Sequence, residues 1–107
     1  MIVSFLEEAL IEVAEAVDWF DNQSSGLGAE FRREFEQNLE SIGSVPESFA
    51  RLEFLRSQRW SRVRRAVMRR FSYVIVFDVR DTEALIVAVY HARRRPNYWF
   101  KRLLSKS

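Results

Sequence analysis

The chain has 107 residues, of which 48% are hydrophobic, and this length suits a single domain with one modest core. It has no cysteine, which excludes a disulfide framework and a thiolate zinc site, and no uncharged apolar run approaches the ~20 residues that a membrane span needs. The net charge of +2 conceals a division, because residues 1–50 carry 2 basic and 11 acidic side chains (−9) and residues 51–107 carry 15 and 4 (+11). This division predicts a basic surface suited to nucleic acid or to an acidic protein segment.

The N-terminus has no features of a targeting signal. No basic region precedes its first apolar residues, and Glu7 and Glu8 follow them at once, so no signal peptide is visible. We therefore expect one domain over residues 1–107, in the cytoplasm and without membrane contact.

The acidic half predicts a short strand followed by two helices. Ile2 and Val3 suit the edge of a strand, and Ser4 with Glu7 matches a capping box that would begin a helix at Phe5. Apolar residues then recur at three- and four-residue steps: Leu6, Leu10, Val13, Val17 and Phe20. This spacing is typical of an amphipathic helix, and we expect its glutamates, Glu7, Glu8, Glu12 and Glu15, on the opposite, solvated side.

A second amphipathic helix follows the polar break at residues 22–26. Its apolar stripe consists of Leu27, Phe31, Phe35, Leu39 and Ile42. Gly43 suits the C-cap of this helix, with Pro46 just beyond it. The two helices form a hairpin whose apolar stripes need a common partner, and a sheet is the expected one.

The basic half supplies that sheet. Residues 62–68, 72–79 and 83–91 are rich in β-branched and aromatic side chains and are joined by short polar connections, which predicts an antiparallel meander. Residues 47–61 show no clean period, so we interpret them as an extended loop that covers the sheet edge. The predicted fold is α+β in the order β-α-α-β-β-β, with the helical hairpin on one sheet face and the other face available.

Function is expected in the segment that follows the last strand. Residues 90–102 contain the only histidine, His91, three consecutive arginines at 93–95, and the aromatic pair Tyr98 and Trp99. Guanidinium groups suit phosphate and carboxylate, and aromatic faces stack on bases or on a partner's side chains. The structural alternatives are a hydrogen-bonding role for His91 and a plug that closes the sheet for Trp99.

Metal and cofactor chemistry have little support. One histidine and no cysteine leave only carboxylates such as Asp78 and Asp81 as ligands, which is too thin a signal for a metal site. We expect no metal, no cofactor and no small-molecule substrate.

Five stretches together resemble the RelE/ParE superfamily of bacterial type II toxins, also labelled plasmid-stabilisation proteins. They are residues 8–20, 26–31, 42–46, 63–77 and 87–99, and the likeness lies in their order and spacing over nearly the whole chain. The family usually has a proline where this chain has Ser72, and this difference affects the turn more than any chemistry.

The resemblance implies a growth-inhibiting toxin held inactive by a cognate antitoxin encoded beside it. ParE-like members inhibit DNA gyrase, whereas RelE-like members cleave mRNA in the ribosomal A site without a metal. The paired lysines used by RelE-like nucleases have no counterpart, since Lys101 and Lys106 are the only lysines and both lie near the C-terminus. This deficit favours the ParE-like reading, with the endoribonuclease as the alternative and a non-catalytic nucleic-acid-binding module as a further one.

Each reading assigns roles to particular residues. In the nuclease reading His91 is the natural base or acid, because histidine ordinarily titrates near neutral pH. The other candidates for catalysis are Arg64, Arg93, Arg94 and Tyr98. The candidates for contact with the target or with nucleic acid are Arg65, Arg95, Trp99 and Arg102.

Overall fold

The computed structural model describes residues 1–52, 60, 62–94 and 97–106, and it has the predicted α+β architecture. Its elements, in chain order, are β1 (Ile2–Phe5), α1 (Glu7–Gln23), α2 (Leu27–Ser44), a 3-10 helix (Pro46–Ser48), β2 (Ala50–Arg51), β3 (Val63–Met68), β4 (Tyr73–Val79), β5 (Glu83–His91) and α3 (Phe100–Lys106). The three predicted strands of the meander are confirmed to within one residue. Within the described ranges, no helix combines the length and apolar character that crossing a membrane requires.

The five strands form one sheet in the order β1-β5-β4-β3-β2. β1 runs parallel to β5, with Ile2 opposite Glu83, whereas the other neighbouring strands are antiparallel. The sheet is therefore mixed, and the expectation of a wholly antiparallel sheet is corrected by β1.

A β-bulge in β5 determines on which face of the sheet its last side chains lie. Val76 lies opposite Ala88 but Phe77 lies opposite Ile86, so Val87 is an extra residue in the ladder. Val87 and Ala88 consequently both belong to the core on the α3 side, and Val89 returns to the core under the helical hairpin. The side chain of His91 lies on the same face of the sheet as that of Val89, because side chains alternate along a strand.

Each face of the sheet has a packed cluster. The hairpin of α1 and α2 buries one face, with Phe31, Phe35 and Ile42 packed in the same cluster as Ile75 and Phe77. On the other face, Trp99 and Leu103 pack with Val74, Val76 and Val87. The second face was expected to be available, and the segment that leads into α3 occupies part of it instead.

The start of α1 differs from the capping-box prediction. The Ser4 hydroxyl donates to the Glu83 carboxylate at 2.8 Å, and α1 begins at Glu7 with Leu6 as an N-cap that makes no side-chain bond. The buried face is also displaced, because Leu10 is 52% exposed and Glu12 only 8%. The predicted apolar stripe is thus wrong at Leu10, and the prediction that Glu12 is solvated is wrong.

The end of α2 lies one residue beyond the predicted cap. Gly43 belongs to the helix, Ser44 is its last residue and Val45 is the C-cap. The Gly43 carbonyl accepts a hydrogen bond from the N-terminal ammonium of Met1 at 2.6 Å. This bond ties the residue before β1 to the last turn of α2.

Part of the segment at residues 47–61 has regular structure. Ala50 and Arg51 pair with Arg65 and Arg64 and so extend the sheet edge as β2, where a loop was expected. The rest of that prediction, at residues 53–59 and 61, lies outside the described residues.

Candidate functional site

A buried carboxylate holds the C-terminal segment against the rest of the fold. Glu12 lies in the N-terminal half of α1, and its Oε1 accepts a hydrogen bond from the backbone N–H of Val89 at 2.9 Å. Arg102 donates to both carboxylate oxygens, at 3.0 and 3.2 Å, and also to the Val87 carbonyl at 3.0 Å. The Tyr98 hydroxyl donates to Oε2. Glu12 therefore connects α1 to β5 and α3.

Electrostatics match this arrangement. Burial, followed by the hydrogen bond to Glu12, raises the pKa of Tyr98 well above its ordinary value, so the phenol stays neutral. Burial by itself lowers the pKa of Arg102, but the hydrogen bonds to Glu12 and its charge outweigh that effect and raise the pKa overall. Arg94 completes the cluster, with its Nη1 3.9 Å from Glu12 and its Cζ 4.0 Å from the centroid of the Tyr98 ring.

His91 ends β5 beside Tyr73. The two residues are partners in the ladder, and their rings lie edge to face with centroids 5.6 Å apart. The Nδ1 atom of His91 accepts a hydrogen bond from the backbone N–H of Arg93 at 3.1 Å. In the neutral ring this leaves the proton on Nε2.

Two adjoining cavities border His91. One, of about 220 Å³, is lined by side chains that include Glu12, Glu15, Tyr73, His91 and Arg94. The other, of about 360 Å³, is lined by Trp19, Phe20, Phe71, Tyr73 and His91, and we call it the aromatic pocket. Trp19, Tyr73 and His91 line both cavities.

Among the predicted catalytic residues, the structure brings His91, Arg94 and Tyr98 to one region and leaves Arg64 apart. Arg64 lies opposite Phe77, which in turn lies opposite Ile86, five residues before His91 along β5. Its guanidinium donates to the Phe49 carbonyl at 2.6 Å. Arg93 is exposed in the turn that follows β5, one residue before Arg94.

The predicted binding residues are also divided. Arg65 is exposed on β3, but Trp99 is fully buried and packs with the core on the α3 side, as the structural alternative for it predicted. The side chain of Arg102 is only 13% exposed, since it faces Glu12. Arg95 lies outside the described residues.

Two residues of this region were not identified as site residues from the sequence. Glu12 fits the polar positions of an amphipathic helix, and its partners lie more than 75 residues away along the chain. Trp19 has no local signal beyond its place in a stretch that resembles the RelE/ParE superfamily.

No metal centre is evident within the described ranges. They contain no group of three or more His, Cys, Asp or Glu side chains that could hold a metal ion. Asp78 and Asp81 instead form ion pairs with Arg80 and Arg62, at 3.3 and 3.2 Å.

The fold, with two N-terminal helices packed on a five-stranded mixed sheet, is that of the RelE/ParE superfamily of toxins. The structure resembles the chromosomal ParDE TA system from P. aeruginosa, with a TM-score of 0.71 and 13% identity over 87% of this chain and 97% of that chain. It also resembles the isolated E. coli RelE toxin, with a TM-score of 0.63 and 19% identity over 98% and 96% of the two chains. At such identities these likenesses concern the fold.

The family within this class follows from the sequence. Residues 3–96 match the model of the ParE toxin of type II toxin-antitoxin systems, parDE, so the chain belongs to the ParE toxin family. No curated protein sequence matches the chain.

Proposed function

We propose that this ParE-type toxin inhibits growth by binding DNA gyrase, and that a cognate antitoxin neutralises it. The observation that carries the proposal is that Tyr98 and Arg102 both donate hydrogen bonds to the Glu12 carboxylate. Two of the groups that a nuclease or an RNA contact would require are thus committed to the fold. Gyrase and the antitoxin both act in the cytoplasm, which is where the proposal puts the toxin.

The chemistry of RNA cleavage sets demands that this arrangement meets poorly. Attack by a 2′-hydroxyl needs a base, cations at the phosphate and an acid for the leaving oxygen. A neutral Tyr98 with a raised pKa is a weak acid, and its proton is directed at Glu12. Arg64, a further candidate cation, lies at the other end of the sheet.

The exposed residues of the same region suit protein docking. Arg93, Arg94 and Trp19 are exposed, and tryptophan and arginine are enriched among the residues that dominate interface energies. Binding of this kind requires no catalytic group, which agrees with the absence of lysines from the central strands.

The alternative function is a ribosome-dependent mRNA endoribonuclease. It is favoured by the cavity that His91 shares with Glu15 and Arg94, because an imidazole and a cation at one site can move a proton and stabilise a phosphate. In this case His91→Ala and Arg94→Gln abolish mRNA cleavage in a purified translation system.

A non-catalytic nucleic-acid-binding module is the further alternative. Exposed arginines such as Arg65 and Arg93 give salt-dependent binding to arbitrary RNA or DNA in any of the three cases. Only sequence- or structure-specific binding without an effect on growth supports the module.

Induction of the toxin without antitoxin separates these functions. DNA and protein synthesis are followed by pulse-labelling over the first minutes after induction. The proposal predicts an early fall in DNA synthesis that co-expression of the antitoxin prevents. An early fall in protein synthesis supports the nuclease instead, and normal growth with no captured partner overturns the toxin-antitoxin proposal.

A further inference from the structure

We propose that the aromatic pocket is the docking site for an acidic segment of the antitoxin, which inserts one apolar side chain into it. The inference rests on the proposed function to the extent that a cognate antitoxin binds the toxin. It adds the location of the contact and the chemistry of the segment that makes it.

The pocket is built from rings that form its walls. Trp19 and Phe20 meet edge to face with centroids 5.1 Å apart, and Phe20 and Tyr73 are tilted at 5.7 Å. His91 continues this wall through its edge-to-face contact with Tyr73. The volume of about 360 Å³ lies near the lower end of ligand pockets, which run from about 300 to 1,000 Å³, so it suits an inserted side chain.

Trp19 gives the pocket an apolar surface that is exposed to solvent. It is 56% exposed, although tryptophan is usually well buried. A partner side chain that enters the pocket removes this surface from water, which is the main favourable term in association. Aromatic residues and arginine are also the residue types enriched in protein interfaces.

Several arginines lie at the same end of the sheet as the pocket. Arg69 and Arg70 lie in the turn before β4, and Arg93 and Arg94 follow β5. The two segments meet where the Ala92 N–H donates to the Ser72 carbonyl at 2.7 Å. This group of arginines predicts a carboxylate near the inserted side chain.

Arg94 is the arginine best placed for that carboxylate. It lines the cavity next to the aromatic pocket, its side chain is 54% exposed, and its Nη1 lies 3.9 Å from Glu12, a long separation for an ion pair. Arg70, in contrast, is held by Glu30 at 2.6 Å. A partner carboxylate can therefore approach Arg94 without breaking a close pair.

The charges around the pocket favour a peptide over nucleic acid. Glu12 and Glu15 line the adjoining cavity, so carboxylates of α1 lie beside the pocket. A nucleic-acid strand carries a phosphate at every nucleotide and would be repelled there. A peptide can set its apolar side chain against α1 and its carboxylate against the arginines.

The experiment measures binding of the purified antitoxin encoded beside the toxin, by calorimetry, to matched variants. We expect Trp19→Ala to weaken binding about 30-fold, as for an interface hot spot. Leu10→Ala, which removes a side chain of similar exposure from the same helix but outside the pocket lining, stays within about twofold. Thermal unfolding of each variant verifies that the fold is retained.

A second pair of variants tests the charge. Arg94→Gln weakens binding about tenfold and lowers its salt dependence, because a carboxylate contact is lost. Arg62→Gln is the control, since Arg62 is 53% exposed and pairs with Asp81 at the far end of the strands. It leaves binding unchanged.

The outcomes separate this inference from the proposed function. If the wild-type toxin binds no antitoxin, the proposed neutralisation fails and the inference fails with it. If the complex forms but Trp19→Ala binds as tightly as wild type, the inference alone is overturned. Trp19-dependent binding of a single-stranded RNA oligonucleotide that the antitoxin does not displace also overturns it, in favour of a nucleic-acid pocket.

Discussion

Glu12 stabilises the fold through one carboxylate that three segments share. Replacement by alanine leaves Arg102 without its ion pair and removes the acceptor for Tyr98 and for the Val89 N–H. Loss of one partner from a buried pair costs about 3–5 kcal/mol. We therefore expect Glu12→Ala to lower the free energy of unfolding by about that amount, measured by urea denaturation.

Glu15→Ala is the matched control for this prediction. Glu15 lies on the same helix and is exposed, so its replacement changes the free energy of unfolding by no more than about 0.5 kcal/mol. Equal effects of the two substitutions would contradict the role assigned to Glu12. A double-mutant cycle of Glu12 with Arg102 isolates the coupling between them.

Tyr98 gives the stability a dependence on alkaline pH. Its pKa in the folded chain is raised above the ordinary tyrosine value of about 10, so the unfolded chain releases the phenolic proton first as the pH rises. The contribution is fully present below about pH 10 and is lost above it. We expect the free energy of unfolding to fall from pH 10 to 11 and this fall to be smaller in Tyr98→Phe.

The control for the alkaline series is Tyr90→Phe. It removes a phenol whose ring lies 5.5 Å from that of Tyr98 and keeps the bond to Glu12. The prediction fails if Tyr98→Phe leaves the fall of the unfolding free energy between pH 10 and 11 unchanged while Tyr90→Phe reduces it.

Sequence reasoning located some of these residues and misplaced others for a physical reason. The position of His91 at the end of a strand was predictable, because alternation and β-branched residues define β5 locally. The burial of Glu12 was not, since a glutamate among apolar residues on a helix looks solvated until Tyr98 and Arg102 reach it from a distant segment. For Trp99 the sequence left burial and a binding role open, because the choice depends on the packing of α3.

At the scale of elements, the hairpin of α1 and α2 depends on Gly28. A Cβ at this position would lie 2.5 Å from the Val17 carbonyl, which is backbone and cannot turn away. Although alanine favours a helix by up to about 1 kcal/mol over glycine, the clash outweighs this. We expect Gly28→Ala to lower the free energy of unfolding by about 1–3 kcal/mol, as overpacking does.

Gly43→Ala in the same helix is the comparison. Its Cβ would lie 3.0 Å from the carbonyl oxygen of Met1, a less severe approach than the 2.5 Å at Gly28, so a smaller shift relieves it. Its effect on thermal unfolding should therefore be clearly smaller than that of Gly28→Ala. The reverse order would show that the helices do not cross closely at Gly28.

Elements with a long local sequence pattern were predictable, whereas short elements that depend on pairing with a distant strand were not. β3, β4 and β5 have enough alternating residues to define their bounds. β2 has two residues and exists only through its pairing with β3. The capping box failed because Ser4 bonds to Glu83 on the neighbouring strand, a contact that the spacing of Ser4 and Glu7 cannot reveal.

For the whole molecule, the division of charge along the sequence becomes a division between layers. The acidic half forms the helical hairpin, and most arginines belong to the sheet and its ends. The sequence therefore predicted that a basic surface exists, and the structure identifies one such group at the end that holds Arg69, Arg70, Arg93 and Arg94. The target was not predictable from the fold, because toxins with different targets share it.

Inhibition of purified DNA gyrase is the most direct test of the proposed function. Relaxed plasmid, gyrase and ATP are incubated with increasing toxin, and ribosome-bound mRNA is incubated with the same toxin preparation. We predict that negative supercoiling falls in proportion to the toxin while the mRNA stays intact, and that added antitoxin restores supercoiling. Unimpaired supercoiling together with cleaved mRNA would contradict the gyrase proposal and establish the nuclease.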